Sequence, residues 1–469
     1  MRQSGQLSEK FTRIFKTFLP SPFTIAIVLT MLTLVLAQVL TQPDNISAGS
    51  YFLHLVGSWE AGLWDNSAGG LYFAFQMMLI LVLGHILALT PAVDKLIQSL
   101  LQYCNTTASS AAVVAFGAIA LGLINWGLGL IFGAIIARKV GEKSAREQKP
   151  INYGLIGGAA YATMMTWHGG LSGSATTKSM EEGYIQSMMK NVNISGNFPD
   201  SVPFEATIGS TMNVTLTLLC LILIPAIFYF IGKKFVNEKV PYFDKLIEDF
   251  STQDPGAIEG AERIDYNKYF GTVLGAAILV YGIYKAVTYT GNSSLGFIQL
   301  NFINFVFLGL SLMLHRSINN FSEALQTSIG DVSGILIQFP FYFGILSIMS
   351  SSGLIVIFSD SITSIATTST LPFLTFLSAG LVNIFVPSGG GQWAIQGPII
   401  IQTVQQLGAD LPKCILAMAY GDQWTNMLQP FWALPLLGIT KLKPREFLPY
   451  SFIAFLIGMF VFGAGLLIF

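Results

Sequence analysis

Residues 371–407 read LPFLTFLSAGLVNIFVPSGGGQWAIQGPIIIQTVQQL, two apolar runs joined through Val386-Pro387-Ser388-Gly389-Gly390-Gly391-Gln392-Trp393. No Lys or Arg occurs anywhere in 351–410. So apolar a stretch belongs in hydrocarbon, yet Pro and consecutive Gly are the residues that interrupt helices. Backbone freed by such a break finds no water in lipid, and is tolerated only where it is buried in protein or lines a cavity. The stretch therefore predicts a helical hairpin that enters a membrane and turns back inside it.

A second stretch, 108–138, has the same character and turns at Asn125-Trp126-Gly127-Leu128-Gly129. Gly122-Leu123-Ile124-Asn125 recurs there as Gly380-Leu381-Val382-Asn383, and Ala160-Tyr161 follows the first nearly as Ala419-Tyr420 follows the second. Gln76 and Gln338 stand at corresponding places upstream. Three matched spacings argue for an internal repeat, the pattern to seek before any other.

Outward from the hairpins, long apolar runs lie near 22–40, 70–89, 151–168, 206–232, 269–289, 297–315, 331–350, 411–439 and 447–469. Each is of the order needed to cross hydrocarbon, giving about nine transmembrane helices. The chain is 52% hydrophobic and 10% charged, with a mean hydropathy of +0.62. Soluble domains carry about 25% charged residues, so most of this surface faces lipid. Cytoplasmic loops are enriched in Lys and Arg, which assigns the N-terminus, 138–149, 233–268, Arg316 and Lys441 to Arg445 to that side. The segment 41–68, with no Lys or Arg, reads as an external loop. The expected protein is an all-α integral membrane protein of the plasma (bacterial inner) membrane, with a cytoplasmic N-terminus at 1–21. A first repeat, 22–232, contains hairpin 108–138; a cytoplasmic loop, 233–268, and a linking span, 269–289, precede the second repeat, 297–469, with hairpin 371–407. The linking span inverts the second repeat, so the hairpins enter from opposite sides. Inverted repeats with discontinuous helices are the signature of secondary transporters.

Two more interruptions carry chemistry. One is Trp167-His168-Gly169-Gly170-Leu171-Ser172-Gly173-Ser174; the other is Gly421-Asp422-Gln423-Trp424-Thr425-Asn426, with Gln429-Pro430 following. Glycine lets a ligand approach backbone amides, and a helix beginning after such a turn aims its positive end at the cavity. The Gly-rich tip lacks the Gly-Lys-Ser/Thr of a phosphate loop, so ATP chemistry is excluded. An ionisable group inside a span is expensive and functional by default. Asp422 is the sharpest instance, with Asn383, Asn426 and His168 as partners for a coupling proton or sodium ion. Asp422 and Asn383 would be metal ligands only for sodium, and no other cofactor is expected. Small residues in membrane helices are commonly packing devices, and Gly129 with Gly133 reads so. His85, His54 and His315 read as structural or solvated. With no cation centred in a clean span, an anion would be held by dipoles and hydroxyls, which suits a small monocarboxylate. A dicarboxylate carrier and an ion channel with Gly-rich filter loops are the alternatives. Neither an enzyme, for want of a nucleophile–base pair, nor a nucleic-acid partner is indicated. The three cysteines make no framework.

At these motifs the chain resembles the bacterial short-chain fatty acid transporter family, within the ion transporter superfamily. Ile124 to Leu130, Gly169 to Ser174, Gln338-Phe339-Pro340-Phe341-Tyr342, Val386 to Pro398, Ala419 to Trp424 and Gln429 to Pro435 carry the likeness. The resemblance implies cation-coupled uptake of short monocarboxylates such as butyrate or acetoacetate, by an elevator motion in a homodimer. Substrate contacts are expected from Asn125, Trp126, Ser172, Gly173, Ser174, Ser388, Gly389, Gly390, Gly391, Gln392 and Trp393. The chain departs from the family's pattern with Gln392 in place of His, Asp422 in place of Glu and His168 in place of Gly.

Overall fold

The computed structural model describes residues 21–64, 70–191, 198–234, 239–243, 260–290, 297 and 300–469. The N-terminal segment expected in the cytoplasm and most of the 233–268 loop lie outside the described residues. Among those described the structure is helical, with a single isolated bridge between Ile151 and Lys239 and no strand.

Helix α1 (Pro22–Thr41) starts at Ser21, whose hydroxyl accepts the amide of Thr24, with Pro at the first position. Helix α2 (Ala48–Trp64) corrects the reading of 41–68 as an external loop. Its buried Tyr51, Leu55, Gly62 and Leu63 recur at helical spacing, and pack on the later helix α14 (Ser333–Ser351). The intervening Ser, Gly, His and Glu depress hydropathy without spoiling that stripe. Helix α3 (Gly70–Ala88) turns by 73° into the unforeseen α4 (Pro91–Leu101), capped by Thr90.

Helices α5 (Thr107–Ile124) and α6 (Trp126–Glu147) form the first hairpin, parted by the single extended residue Asn125. Glycines let the arms touch: a Cβ at Gly133 would meet Ala118 at 3.0 Å, and one at Gly129 would meet the backbone of Gly122 at 2.5 Å. Helix α6 runs on through 138–147, expected as a loop. There Arg138 is buried, bonded to Glu142 at 2.7 Å, and lies over the ring of Phe243. An i, i+4 pair of opposite charges supports the helix here, which explains why a basic segment stays helical.

Helix α7 (Tyr153–Tyr161) frays into a 3-10 turn (Ala162–Met165), then irregular chain, then the short α8 (Ser174–Ser179) and α9 (Tyr184–Asn191). Helices α10 (Thr211–Lys234), α11 (Lys268–Val287), α12 (Leu300–His315) and α13 (Ile318–Ser328) precede α14, and α15 (Leu354–Thr363) follows it. The second hairpin is α16 (Leu371–Phe385) and α17 (Gly389–Leu407). Helix α18 (Leu411–Thr425) passes into a 3-10 turn (Asn426–Leu428), and α19 (Leu434–Thr440) and α20 (Pro444–Ile468) close the chain.

Among the described residues, five helices are long and apolar enough to cross a membrane: α1, α5, α10, α11 and α20, with α3–α4 a sixth if the bent pair counts as one. Asn301–His315, Leu336–Ser351 and Leu371–Phe385 are shorter apolar helices. Val273, Val280 and Ile283 of α11 are about two-thirds exposed, an apolar face that fits lipid. The chain is a multi-pass membrane protein. Its core gathers α5, α7, α10 and α20 with the pair α16–α18, while α1 and α2 pack on α14, and α12 and α13 on α3.

Candidate functional site

The interruptions form because each exposed helix end finds an acceptor from another one. At the first hairpin the Asn125 side chain accepts the amides of Gly127 and Leu128, at 2.9 and 3.1 Å. The amide of Trp126 goes to the Ser172 hydroxyl at 3.0 Å, and that of Leu171 to the Leu123 carbonyl at 2.8 Å. The first tip is thereby sewn to the break after α7. At the second hairpin Ser388 accepts the amide of Gly391. The first helical N–H groups have no intrahelical acceptor, and those of Gly389 and Gly390 are among them. Both serines act here as acceptors, so their O–H groups remain available to donate.

The second tip lies on the most polar part of the interior. A Cβ on Gly389 would stand 2.8 Å from both His168 Cε1 and Trp167 Cη2, and 3.2 Å from Asp422 Oδ2. His168 Nδ1 is hydrogen-bonded to Asp422 Oδ2, and both residues are almost wholly buried. The amide of Ala175 donates to His168 Nε2 at 3.0 Å. Gln423 Oε1 accepts the amides of His168 and Gly169, at 2.9 and 3.1 Å. Asn383 donates to the Asp422 carbonyl, Thr425 Oγ1 and Asn426 Oδ1. Because the Asp422 carbonyl can only accept, the amide orientation of Asn383 is fixed and its Oδ1 is left without a partner. Tyr161 donates to the carbonyls of Asn426 and Gln429.

The four interruptions therefore meet at one place, as the sequence led us to expect, though the fourth lies farther along. Helix α18 continues through Gly421 to Thr425, tightens to a 3-10 turn over Asn426–Leu428 and is irregular over 429–433. Gly421 is a contact residue instead: a Cβ there would meet the Phe376 carbonyl at 2.2 Å. Asp422 thus projects from the last full turn of a helix. Trp126, Trp167 and Trp432 form an aromatic group beside the first tip, with centroids 4.9 to 6.3 Å apart. The ring of Trp167 stacks on His168 at 4.4 Å. Not every expected residue faces this space. Trp393 is fully buried in a separate apolar cluster with Ala175, Met188 and Ile400. Gln392 is bonded to the Ala379 carbonyl and to Gln396. Gly173 approaches the His168 carbonyl so closely that a Cβ would lie 1.9 Å from it. His315, expected at a wet span end, is buried with Nε2 against the Ile86 carbonyl.

Beside the second tip opens a crevice of about 550 Å³, lined by Gly390, Gly391 and Ala394 on one side and by Phe343, Ser347, Ser350 and Ser351 on the other. Donors at a concave, partly apolar site are what a small organic anion needs.

The sequence pattern of the family described as short chain fatty acid transporter matches residues 4–469. The chain belongs to that family. As a member of the short-chain fatty acid transporter family it is a transporter and not an enzyme. A provisionally named short-chain fatty acid transporter of Escherichia coli (strain K12) is 35% identical over 99% of this chain and all of its own length. One from Haemophilus influenzae, also provisionally named, is 34% identical over 98% and 99%. Two solved structures align more loosely: the YdaH transporter of Alcanivorax borkumensis, with TM-score 0.42, 17% identity and coverage of 95% and 98%, and MtrF of Neisseria gonorrhoeae, with TM-score 0.41, 16% identity and coverage of 97% and 97%. At that likeness neither bears on mechanism.

Several residues of this family member escaped the sequence reading. Gln423, Tyr161 and Trp432 lie inside the quoted motifs without having been given a role, and Thr163, which Gly122 and Gly129 approach, lies two residues past Tyr161. Asking which side chain satisfies each freed amide would have pointed to Gln423, since the break at 168–169 offers no local acceptor.

Proposed function

We propose that the protein carries short-chain monocarboxylates such as butyrate or acetoacetate across the bacterial inner membrane, coupled to a cation, by an elevator motion. The observation that carries this reading is the second tip, where Gly389 lies against the buried Asp422–His168 pair while Gly390 and Gly391 face an open crevice. The carboxylate would be bound by the amides of Gly389 and Gly390 with the hydroxyls of Ser388, Ser172 and Ser174. Asp422, Asn383, Asn426 and His168 would serve the cation. Substrate and cation bound together partly neutralise one another, which lowers the cost of carrying charge through a low-dielectric region.

The proposed architecture has two inverted repeats, 22–232 and 297–469, linked by the span at 269–289. Its support is the exchange of packing, α1–α2 on α14 and α12–α13 on α3. We infer a scaffold from those helices with α11, a moving body from the two hairpins with their broken helices, a homodimer, and a cytoplasmic N-terminus. Uptake of labelled butyrate into proteoliposomes under an imposed proton or sodium gradient tests the function. Saturation and counterflow are expected, with competition by propionate exceeding that by succinate. Stronger competition by succinate would reassign the substrate, and flux without saturation or counterflow would indicate a channel.

A further inference from the structure

His168 and Asp422 share one hydrogen bond, but their surroundings treat the two partners differently. The backbone amide of Ala175 can only donate, so the His168 Nε2 it reaches must present a lone pair. The ring proton therefore sits on Nδ1 and is given to Asp422 Oδ2. A second ring proton, on Nε2, would point at the Ala175 N–H, so this arrangement refuses the imidazolium. The other oxygen of the carboxylate, Asp422 Oδ1, is buried and has no partner.

We propose, building on the transport reading above, that His168 and Asp422 are one proton-binding unit in which His168 stays neutral and the coupling proton enters at Asp422 Oδ1. His168 is a positioning residue, donating from Nδ1 to Oδ2, the oxygen that lies against Gly389, and so leaving Oδ1 as the oxygen that takes the proton. Unprotonated, the pair carries one negative charge beside the amides that receive the substrate, and repels it. Protonated, it is neutral, and the tip can close over a bound anion. The coupling is reciprocal: the proton tightens substrate and substrate tightens the proton.

The neighbouring groups favour a proton over sodium. Around the carboxylate stand a ring N–H, the rings of Trp167 and His168, and Gly389. Nearby oxygens are engaged: Gln423 Oε1 by two amides, and the Asp422 carbonyl and Asn426 Oδ1 by Asn383. Among the side-chain amides around Asp422 and Asn383, Asn383 and Gln429 each keep an open oxygen. Titratable groups on the packed elements are the phenols of Tyr161, Tyr342 and Tyr420 and the thiol of Cys220 behind Tyr420, uncharged near neutrality. Lys178 on α8 is paired with Glu181 at 2.7 Å.

The test is butyrate uptake by proteoliposomes as a function of pH, with sodium varied at each pH, above the range where the substrate's own carboxyl titrates, about pH 4 to 5. Uptake should rise as pH falls through one midpoint, through KM, without a sodium requirement. His168→Leu removes the bond that favours the carboxylate, so the midpoint should move to higher pH by about one unit or more. His168→Asn, which restores an N–H near Nδ1, should bring it back. A merely structural role would lower the maximal rate and leave the midpoint in place. A saturable sodium requirement at fixed pH, or an unmoved midpoint in His168→Leu, overturns the proposal. If the wild-type protein takes up no butyrate, the substrate reading has failed, and infrared difference spectra on acidification decide the pair without substrate. A carboxylic C=O band in the wild type that is absent from Asp422→Asn supports the unit; its absence from the wild type ends it. That wild-type measurement stands even if the variants fail to fold.

Discussion

The two hairpin tips descend from similar sequence, Gly-Leu-Ile-Asn and Gly-Leu-Val-Asn, yet the structure uses them in opposite ways. At the first, Asn125 takes two amides, Ser172 takes a third, and Gly122 and Gly129 close on Thr163 with no room for a methyl group. At the second, the matching Asn383 turns away from its own tip to bind α18, and only Ser388 caps the helix that follows. Gly390 is exposed there, and a Cβ on it would find only Ser174, at 3.7 Å. One tip is sealed by protein, and the other has Gly390 and Gly391 lining a crevice. The difference teaches that a broken helix marks a site only where the freed amides are not all recaptured.

Substitutions at matched places sharpen that contrast. Gly129→Ala should have the largest effect, because its Cβ would lie 2.3 Å from Thr163 Oγ1 and 2.5 Å from the Gly122 amide nitrogen. Backbone cannot give way as a side chain does, and overpacking of this kind costs about 1–3 kcal/mol. We expect a lowered thermal midpoint in detergent and poor recovery of folded protein; a wild-type midpoint would break the account of a sealed tip. Asn125→Ala comes next, losing the acceptor for two amides at a cost of about 1–2 kcal/mol. Its signature is reduced stability with the KM of the surviving protein unchanged. If KM rose instead, Asn125 would be a substrate contact after all.

Gly389→Ala moves the comparison to the second tip. The added methyl would press on His168 Cε1 and Trp167 Cη2 at 2.8 Å, holding the tip off the buried pair. Transport should fall about tenfold or more, equivalent to about 1.4 kcal/mol, with the thermal midpoint little changed. Equal losses of stability and rate would mean that this glycine only packs.

What the sequence disclosed follows from which residues have one physical use. Consecutive glycines beside Pro387 in an apolar run, or Asp422 in a span, admit few readings in a membrane, and the helix breaks at Asn125 and at 386–388 were legible. Gly421 was not, since glycine serves close packing as readily as a break, and only the Phe376 carbonyl at 2.2 Å separates the two uses. Helices α2, α4 and α13 were missed because hydropathy averages over a turn, and it overlooks a helix whose buried stripe is narrow. Arg138 was taken for a loop cation because its partner Glu142 lies one turn ahead, a relation that charge counts ignore. Trp393 was placed at the site on proximity to the tip, but a residue one turn into α17 faces whichever neighbour the hairpin packs on.

The smallest effect is the most discriminating. Gly390→Ala adds a methyl to a position where the nearest atoms are Ser174 Oγ at 3.7 Å and its Cβ at 3.8 Å, ordinary contact distances. Stability should stay within about 0.5 kcal/mol of the parent, unlike Gly129→Ala. The methyl would nevertheless stand beside the amide we assign to the carboxylate, narrowing the approach from the crevice. KM for butyrate should rise a few-fold, about 1 kcal/mol or less, while the maximal rate holds. Ser174→Ala removes the hydroxyl from the same side and should act in the same direction. The two changes together should be less than additive, since neighbours that share a ligand couple. A double variant whose effects simply add would place substrate elsewhere in the crevice, among Ser347, Ser350 and Ser351, and would make the second tip a gate with no part in binding.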